Sequence, residues 1–358
     1  MRVIFITVGD TSRLTGGYLY HARVFAGLRE KGIEVEELVA SGASLAEQEE
    51  AAARLGSRLD LQRVDVVVVD ALARIICAPW LDRWRALRPV VAMVHELPSV
   101  AAATGREVTR EQEFEEPLLR ADRLIAVSGH GKSILRSRGV PAGRIHVVSP
   151  GFDRLSPLPA TRKPSARSDA SVRALCVSQW IPRKGILDLV RAWTAHERPG
   201  AMLELIGETD VDPAYAASVR AAITDTTGAS IVVSGPVDDA MLGAAYAAAD
   251  LFVLPSRYEG YGIVYAEALA YGLPVIACDV GPVPELVGGE AALLVPPGDI
   301  EALSGTLDLL LGDPALRGRM FAAARRRAEH LPRWDDTVVG LWRVLREVHA
   351  LRSMRRPP

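Results

Sequence analysis

Two glutamates eight positions apart, Glu259 and Glu267, bracket a glycine-bearing turn in PSRYEGYGIVYAEALAYGLPVIA, residues 255–277. The apolar run Leu251-Phe252-Val253-Leu254 before it reads as a buried strand. Pro255, Ser256, Glu259, Gly260 and Gly262 form a turn cluster. A helix is expected from about Ile263 to Tyr271, ended by Gly272 with Pro274 beyond, and a second strand over Val275 to Ala277. A strand, a glycine loop and a helix N-terminus make an anion site, because free backbone N–H groups and the helix dipole both favour a phosphate. At ~1.5 Å rise per helical residue the two carboxylates sit on the order of 10 Å apart. Two acids around a phosphate would repel it unless each accepts hydrogen bonds from hydroxyls. The pattern fits a ligand with hydroxyls at both ends and phosphate in the middle, the layout of a nucleotide-sugar. The plainer alternative is a Rossmann-type helix carrying two solvated glutamates.

A chain of 358 residues is long enough for two ordinary α/β domains. It is 49% hydrophobic and 24% charged, a globular composition, and its net charge of -2 gives no general electrostatic case for nucleic acid. Lys31, Lys132, Lys163 and Lys184 are the only lysines, which draws attention to Lys184. Cys77, Cys176 and Cys278 are isolated and read as small buried hydrophobes, not as a disulfide or zinc set. The start, MRVIFITVGD, reads as a strand and not as a signal peptide. No run approaches the ~18 apolar residues that a membrane span needs. A cytoplasmic protein is expected.

The chain alternates. Strands are expected at Arg2–Val8, Ile33–Val39, Val64–Asp70, Val90–Val94, Arg123–Val127 and Ile145–Val148, with helices at Tyr18–Lys31 and Ser44–Gly56 among them. Pro150 to Ala170 is rich in Pro, Ser, Arg and Asp and reads as a linker. The alternation then restarts, with strands at Val172–Val177, Met202–Ile206, Ile231–Val233, Leu251–Leu254, Val275–Ala277 and Ala292–Val295. Asp335 to Arg352 reads as an amphipathic helix. The expected fold class is α/β, two Rossmann-like, doubly wound domains facing a central cleft, over residues 1–160 and 171–332.

Glu259, seven residues and Glu267, within EGYGIVYAEALAYGLPVIA, resemble the E-x7-E signature of retaining glycosyltransferases, especially glycosyltransferase family 4, which has the GT-B fold. The resemblance continues through Gly281, Glu285 and Gly288 to LLVPPGD at residues 293–299. It covers most of the chain and is strongest from Val172 to Asp299. It implies a first domain that binds the acceptor, joined by the C-terminal helix, and a second that binds a nucleotide-sugar donor. The implied reaction moves a sugar from that donor to an acceptor hydroxyl with retention and without a metal or other cofactor. A hexosyltransferase-like enzyme of the EC 2.4 class is expected. A non-catalytic nucleotide-sugar binder, or another GT-B enzyme such as a sugar-nucleotide epimerase, remains the alternative.

Further residues acquire roles from that resemblance. Ser178-Gln179-Trp180-Ile181-Pro182-Arg183-Lys184-Gly185 resembles the family segment G-R-x-x-P-x-K-G, whose Arg and Lys hold the donor diphosphate. Lys184 would stabilise the departing nucleotide. Gln179 stands where the family has Arg, so Arg183 is expected to supply the second charge. Gly16-Gly17 resembles a glycine pair that lets the backbone approach donor or acceptor, since glycine permits φ > 0. His95, at the end of the fourth strand, would bind a sugar hydroxyl or steady an oxocarbenium-like transition state; a structural histidine is the alternative. The expected catalytic residues are therefore Glu259, His95 and Lys184. Glu267 is expected to accept from ribose hydroxyls, with Gly260, Tyr261, Gly262, Arg183, Gln179, Gly16 and Gly17 completing the donor site. Ser128 fits an N-cap for Gly129–Arg138. Arg74 to Arg88, with Trp80 and Trp84, reads first as a crossover helix with its apolar face on the sheet, and second as a membrane-surface element. Sugar, base, acceptor and oligomeric state are not fixed by these residues.

Overall fold

The computed structural model describes residues 1–9, 13, 15–40, 42, 44–101, 105–155, 172–224 and 230–355. The chain divides into two compact units, Met1–Gly151 with Pro332–Pro358, and Phe152–Leu331. Among the described residues each holds a six-stranded sheet, and every strand pair is parallel.

In the first unit the strands are β1 Arg2–Val8, β2 Glu34–Ala40, β3 Val66–Asp70, β4 Val90–Val94, β5 Arg123–Ala126 and β6 Ile145–Val147. Their spatial order is β2-β1-β3-β4-β5-β6. The order reverses beside β1, which pairs with β2 on one side and β3 on the other, the switch-point arrangement of a doubly wound sheet. β3 and β4 are buried along their whole length. Helices cover both faces of a parallel sheet, so central strands read as near-continuous apolar runs rich in valine and not as alternation. The second unit repeats the plan with β7 Val172–Val177, β8 Ala201–Ile206, β9 Ile231–Gly235, β10 Leu251–Leu254, β11 Val275–Cys278 and β12 Ala292–Val295, in the order β12-β11-β10-β7-β8-β9.

Local chemistry explains the main boundaries. Ser44 and Glu47 form a reciprocal capping box that starts helix Leu45–Arg58. Ser128 accepts from the Gly131 amide and caps helix Gly129–Ser137. The three cysteines are free and buried. Helix Trp334–Arg355 packs on helix Gly16–Glu30, where Gly27 has no Cβ to collide with Val338; one would lie 2.5 Å from Cγ2. Helix Trp334–Arg355 is thus held against helix Gly16–Glu30 at a spacing that only glycine allows at position 27.

Two expectations change. The boundary placed at residue 160 falls at Gly151, because Arg154 makes its ion pairs, and Leu155 its core contacts, inside the second unit. Most of the linker read over Pro150–Ala170 lies outside the described residues. The single helix read over Arg74–Arg88 is two, Arg74–Cys77 and Leu81–Leu87, broken around Pro79. Ile76, Cys77, Leu81 and Trp84 join the core, and the Trp80 indole donates to the Ala52 carbonyl at 2.7 Å. Among the described residues no helix is long and apolar enough to cross a membrane.

Candidate active site

In the second unit, β10 delivers the loop that carries Ser256, Glu259 and Gly262 into helix Ile263–Ala270. β7 delivers a second loop with Arg183, Lys184 and Gly185. The two loops are stitched together. The Arg257 amide donates to the Arg183 carbonyl at 2.7 Å. Gly185 adopts φ +68°, and a Cβ on it would lie 2.2 Å from the Pro255 carbonyl oxygen. Glycine is required there by backbone conformation and by space together.

This stitching brings Lys184 Nζ to Glu259 Oε1, at 2.6 Å. Ser256 Oγ donates to the same oxygen at 2.7 Å. Arg183 Nη1 donates to the Tyr258 carbonyl at 3.4 Å, which keeps a second cation near Glu259. Glu259 is only 4% exposed. Burial by itself would push its carboxyl up. The Lys184 and Arg183 charges, with the Lys184 and Ser256 hydrogen bonds, outweigh burial and hold it below the ordinary glutamate value. Glu259 is therefore a carboxylate at neutral pH.

Gly262 begins the adjoining helix at φ +94°, and no side chain caps that end. A Cβ at Gly262 would collide with the Tyr265 ring at 2.5 Å. By contrast, the Tyr215 hydroxyl accepts from the Leu187 amide and so occupies the start of helix Ile186–Thr194. The Gly262 terminus thus leaves first-turn amides available for an anion, next to two cations. Tyr261 packs against the unit's core through its ring. Gly260 takes an ordinary φ, so its place in the donor set rests on its position in the loop.

Glu267 does not sit as the sequence suggested. It is 1% exposed, and both carboxylate oxygens are engaged. Arg154 donates through Nε at 3.0 Å and Nη2 at 2.9 Å to Oε1, and the Tyr246 hydroxyl donates to Oε2 at 3.2 Å. Arg154 also pairs with Asp239. Burial raises the Glu267 carboxyl, with Arg154 opposing. In this conformation no oxygen of Glu267 is open to a ribose. Gln179 is also committed, since its amide nitrogen donates to Glu208.

The first unit holds a separate cluster at the ends of β1, β3 and β4. His95 follows β4, and its Nε2 lies 2.8 Å from Nε2 of His21, on helix Gly16–Glu30. Asp70 ends β3, with Oδ2 at 3.8 Å from His21 Nε2. Thr7 Oγ1 donates to that oxygen at 2.7 Å, and the Leu72 amide donates to Oδ1 at 3.0 Å. Burial lowers His21 to about 3. Burial, followed by the repulsion of His21, lowers His95 to about 4. Both rings are neutral at pH 7. Gly16 and Gly17 are the first residues of the helix, and neither takes a positive φ, so the freedom expected of them is not used. A Cβ on Gly17 would make ordinary contact with the His95 ring at 3.9 Å.

His21, Asp70 and His95 place one ligand atom each within 4.8 Å of one another, the one such group among the described residues. Two nitrogens on a tetrahedral ion with bonds of about 2.0–2.1 Å would stand about 3.3 Å apart. The 2.8 Å separation is instead that of a hydrogen bond.

His21, Asp70, Thr7 and Arg154 were not singled out from the sequence. A signal existed for two of them. Asp70 closes an otherwise apolar strand, and His21 stands one helical turn after Gly17. Nothing local in GFDRL marks Arg154.

Two parallel units of this kind make the GT-B fold. A sucrose-phosphate synthase from Thermosynechococcus elongatus superposes with TM-score 0.80 at 23% identity, over 98% of this chain and 100% of that one. Anabaena HepE in complex with UDP-glucose superposes with TM-score 0.79 at 19% identity, over 97% and 100%. The model described as Glycosyltransferase Family 4 matches residues 23–154, and that described as Glycosyl transferases group 1 matches residues 171–313. A D-inositol 3-phosphate glycosyltransferase from Jonesia denitrificans is 30% identical over 306 residues, covering 77% of this chain and 70% of that protein. The chain belongs to glycosyltransferase family 4.

Two mannosyltransferases are also similar. A GDP-mannose-dependent monoacylated alpha-(1-6)-phosphatidylinositol monomannoside mannosyltransferase from Corynebacterium glutamicum is 35% identical over 185 residues, 49% of this chain and 47% of that protein. An MMP alpha-(1->4)-mannosyltransferase from Mycolicibacterium hassiacum is 32% identical over 265 residues, 69% and 62%. This chain therefore spans about half the length of the first and under two thirds of the second.

Proposed function

We propose that this protein transfers a sugar from a nucleotide-sugar donor to an acceptor hydroxyl, with retention at the anomeric carbon. The observation that carries the reading is the pairing of Lys184 with buried Glu259 beside the uncapped helix start at Gly262. Phosphate oxygens would meet Lys184, Arg183 and the free amides of that helix. Those groups also face the charge that develops as the diphosphate leaves, where fixed donors and cations act most strongly. Glu259, held as a carboxylate, would accept from a hydroxyl of the sugar. His95, in the first unit, would donate to a sugar hydroxyl.

Retention follows, on this reading, from attack on the face the nucleotide leaves. Glu259 is a poor covalent nucleophile here, because its Oε1 is already engaged by Lys184 and Ser256. Glu267 would reach a ribose only if Arg154 released it. GDP-mannose is the first donor to try, since one similar mannosyltransferase is GDP-mannose-dependent.

The test is turnover. GDP-mannose, UDP-glucose and UDP-N-acetylglucosamine are each offered with myo-inositol, inositol phosphate and phosphatidylinositol vesicles, and nucleoside diphosphate release is followed. Release from one donor, dependent on an acceptor, supports transfer. Tight donor binding with no release would favour the non-catalytic binder.

A further inference from the structure

We propose that His21 is a positioning residue: it donates its Nε2 proton to His95 and so fixes His95 as the tautomer that carries hydrogen on Nδ1, facing a ligand oxygen. The proposal rests on the reading of His95 as a donor to a sugar hydroxyl. Two observations assign the proton. The two Nε2 atoms are 2.8 Å apart and both rings are neutral, so one nitrogen donates and the other accepts.

His21 Nδ1 is buried with no hydrogen-bond partner. A buried N–H without an acceptor costs more than a buried lone pair without a donor, so Nδ1 carries the lone pair. The His21 proton is then on Nε2. Asp70 lies 3.8 Å from His21 Nε2 and its charge also acts on His95, so it faces both rings and does not choose between them.

With His21 donating, His95 must accept at Nε2, and its own proton resides on Nδ1. That nitrogen takes no hydrogen bond from or to any described residue. The His21–His95 pair thus passes on orientation and not charge. His21 fixes the tautomer of His95. The surroundings hold the rings in place. His21 stacks on Phe25 at 5.7 Å and meets Phe5 edge-on at 4.5 Å, and Tyr20 meets His95 edge-on at 5.0 Å.

The experiment is imidazole nitrogen NMR on the full chain, with His95 assigned by comparison with His95→Gln. The expected result is hydrogen on Nδ1 of His95 and on Nε2 of His21, in the absence of any substrate. Two variants separate positioning from structure. His21→Phe fits among Phe5 and Phe25 but donates nothing; His95 should lose its tautomer preference, and kcat should fall about tenfold with KM little changed. His21→Gln keeps an amide donor near the Nε2 position and should restore both the tautomer and most of kcat.

Hydrogen on Nε2 of His95 in the wild type overturns the proposal, as does an unchanged His95 tautomer in His21→Phe. A change at both rings when EDTA is added would put a metal ion where the proton is assigned, and also overturns it. Because the tautomer is read without substrate, it stands or falls separately from the glycosyl-transfer reading, which fails only if no donor turns over.

Discussion

Lys184 Nζ sits 2.6 Å from Glu259 Oε1, although 75 residues separate the two in sequence. A cation that already has a carboxylate partner is positioned before any ligand arrives. Removing it has two consequences. Lys184→Ala leaves Glu259 buried without its main cation and takes one charge from the phosphate site. A loss of about 10²–10³ in kcat is expected, the size seen when one fixed transition-state donor is removed. Glu259 also returns toward an ordinary or raised pKa, because burial is no longer opposed by Lys184. Steady-state rates across pH would show a new loss of activity at the acid side in the variant that the wild type lacks.

Glu267 and Arg154 form the second buried pair of this unit, and they predict a stability effect. Arg154→Ala strands a carboxyl group that is 1% exposed. A broken buried pair costs about 3–5 kcal/mol. The double variant Arg154→Met with Glu267→Gln should lose less than the single change, because no unpaired charge remains. Urea unfolding of the three proteins is the measurement. Equal losses in single and double variants would show that Arg154 acts through packing alone.

Glycine requirements differ from site to site, and Gly185 is the strictest at the candidate site. Gly185→Ala adds a left-handed residue and a clash with the Pro255 carbonyl at 2.2 Å. Gly139 also has a positive φ, but a Cβ there would meet nothing within 4 Å. Gly139→Ala should cost only the conformational strain, about 1–2 kcal/mol. Gly185→Ala should cost more and should raise the donor KM, since the clash separates the Lys184 loop from the Glu259 loop. Thermal unfolding with donor titration compares them.

His21 and His95 make stability depend on pH. Burial lowers both below their ordinary value of 6.5, to about 3 and about 4. In the window from about 6.5 down to about 4 the unfolded chain takes up protons that the native protein refuses, so stability falls as pH falls. Each ring contributes a slope of up to about 1.4 kcal/mol per pH unit. Asp70 and Glu267, both raised by burial, act in the opposite direction at the acid end. The His21→Phe protein should therefore show a shallower loss of stability than the wild type between about pH 6.5 and about pH 5. Urea midpoints at a series of pH values decide it.

The strand positions were legible because β4 and β10 are unbroken apolar runs, β3 is one up to Asp70, and turn residues punctuate them. The loop chemistry was legible where glycine and charge coincide, as at Arg183-Lys184-Gly185 and Glu259 to Gly262. What the loops do to one another was not. Nothing in the sequence says that Gly185 abuts Pro255, or that the Lys184 charge is met by Glu259. Glu267 shows the same thing. Its helical position was read correctly, but its partner Arg154 comes from 113 positions away and competes with any ligand hydroxyl. His21 was hidden because a histidine in mid-helix has no local signature; only the strand ends that surround it give it a role.

The central claim is that the second unit holds a nucleoside diphosphate at Lys184. Titration calorimetry of GDP and UDP into the wild type and Lys184→Ala tests it most directly. One nucleotide should bind the wild type, and the variant should bind it at least about tenfold more weakly, a loss of about 1.4 kcal/mol. Equal affinity in both proteins, or no binding of either nucleotide to the wild type, would contradict the account.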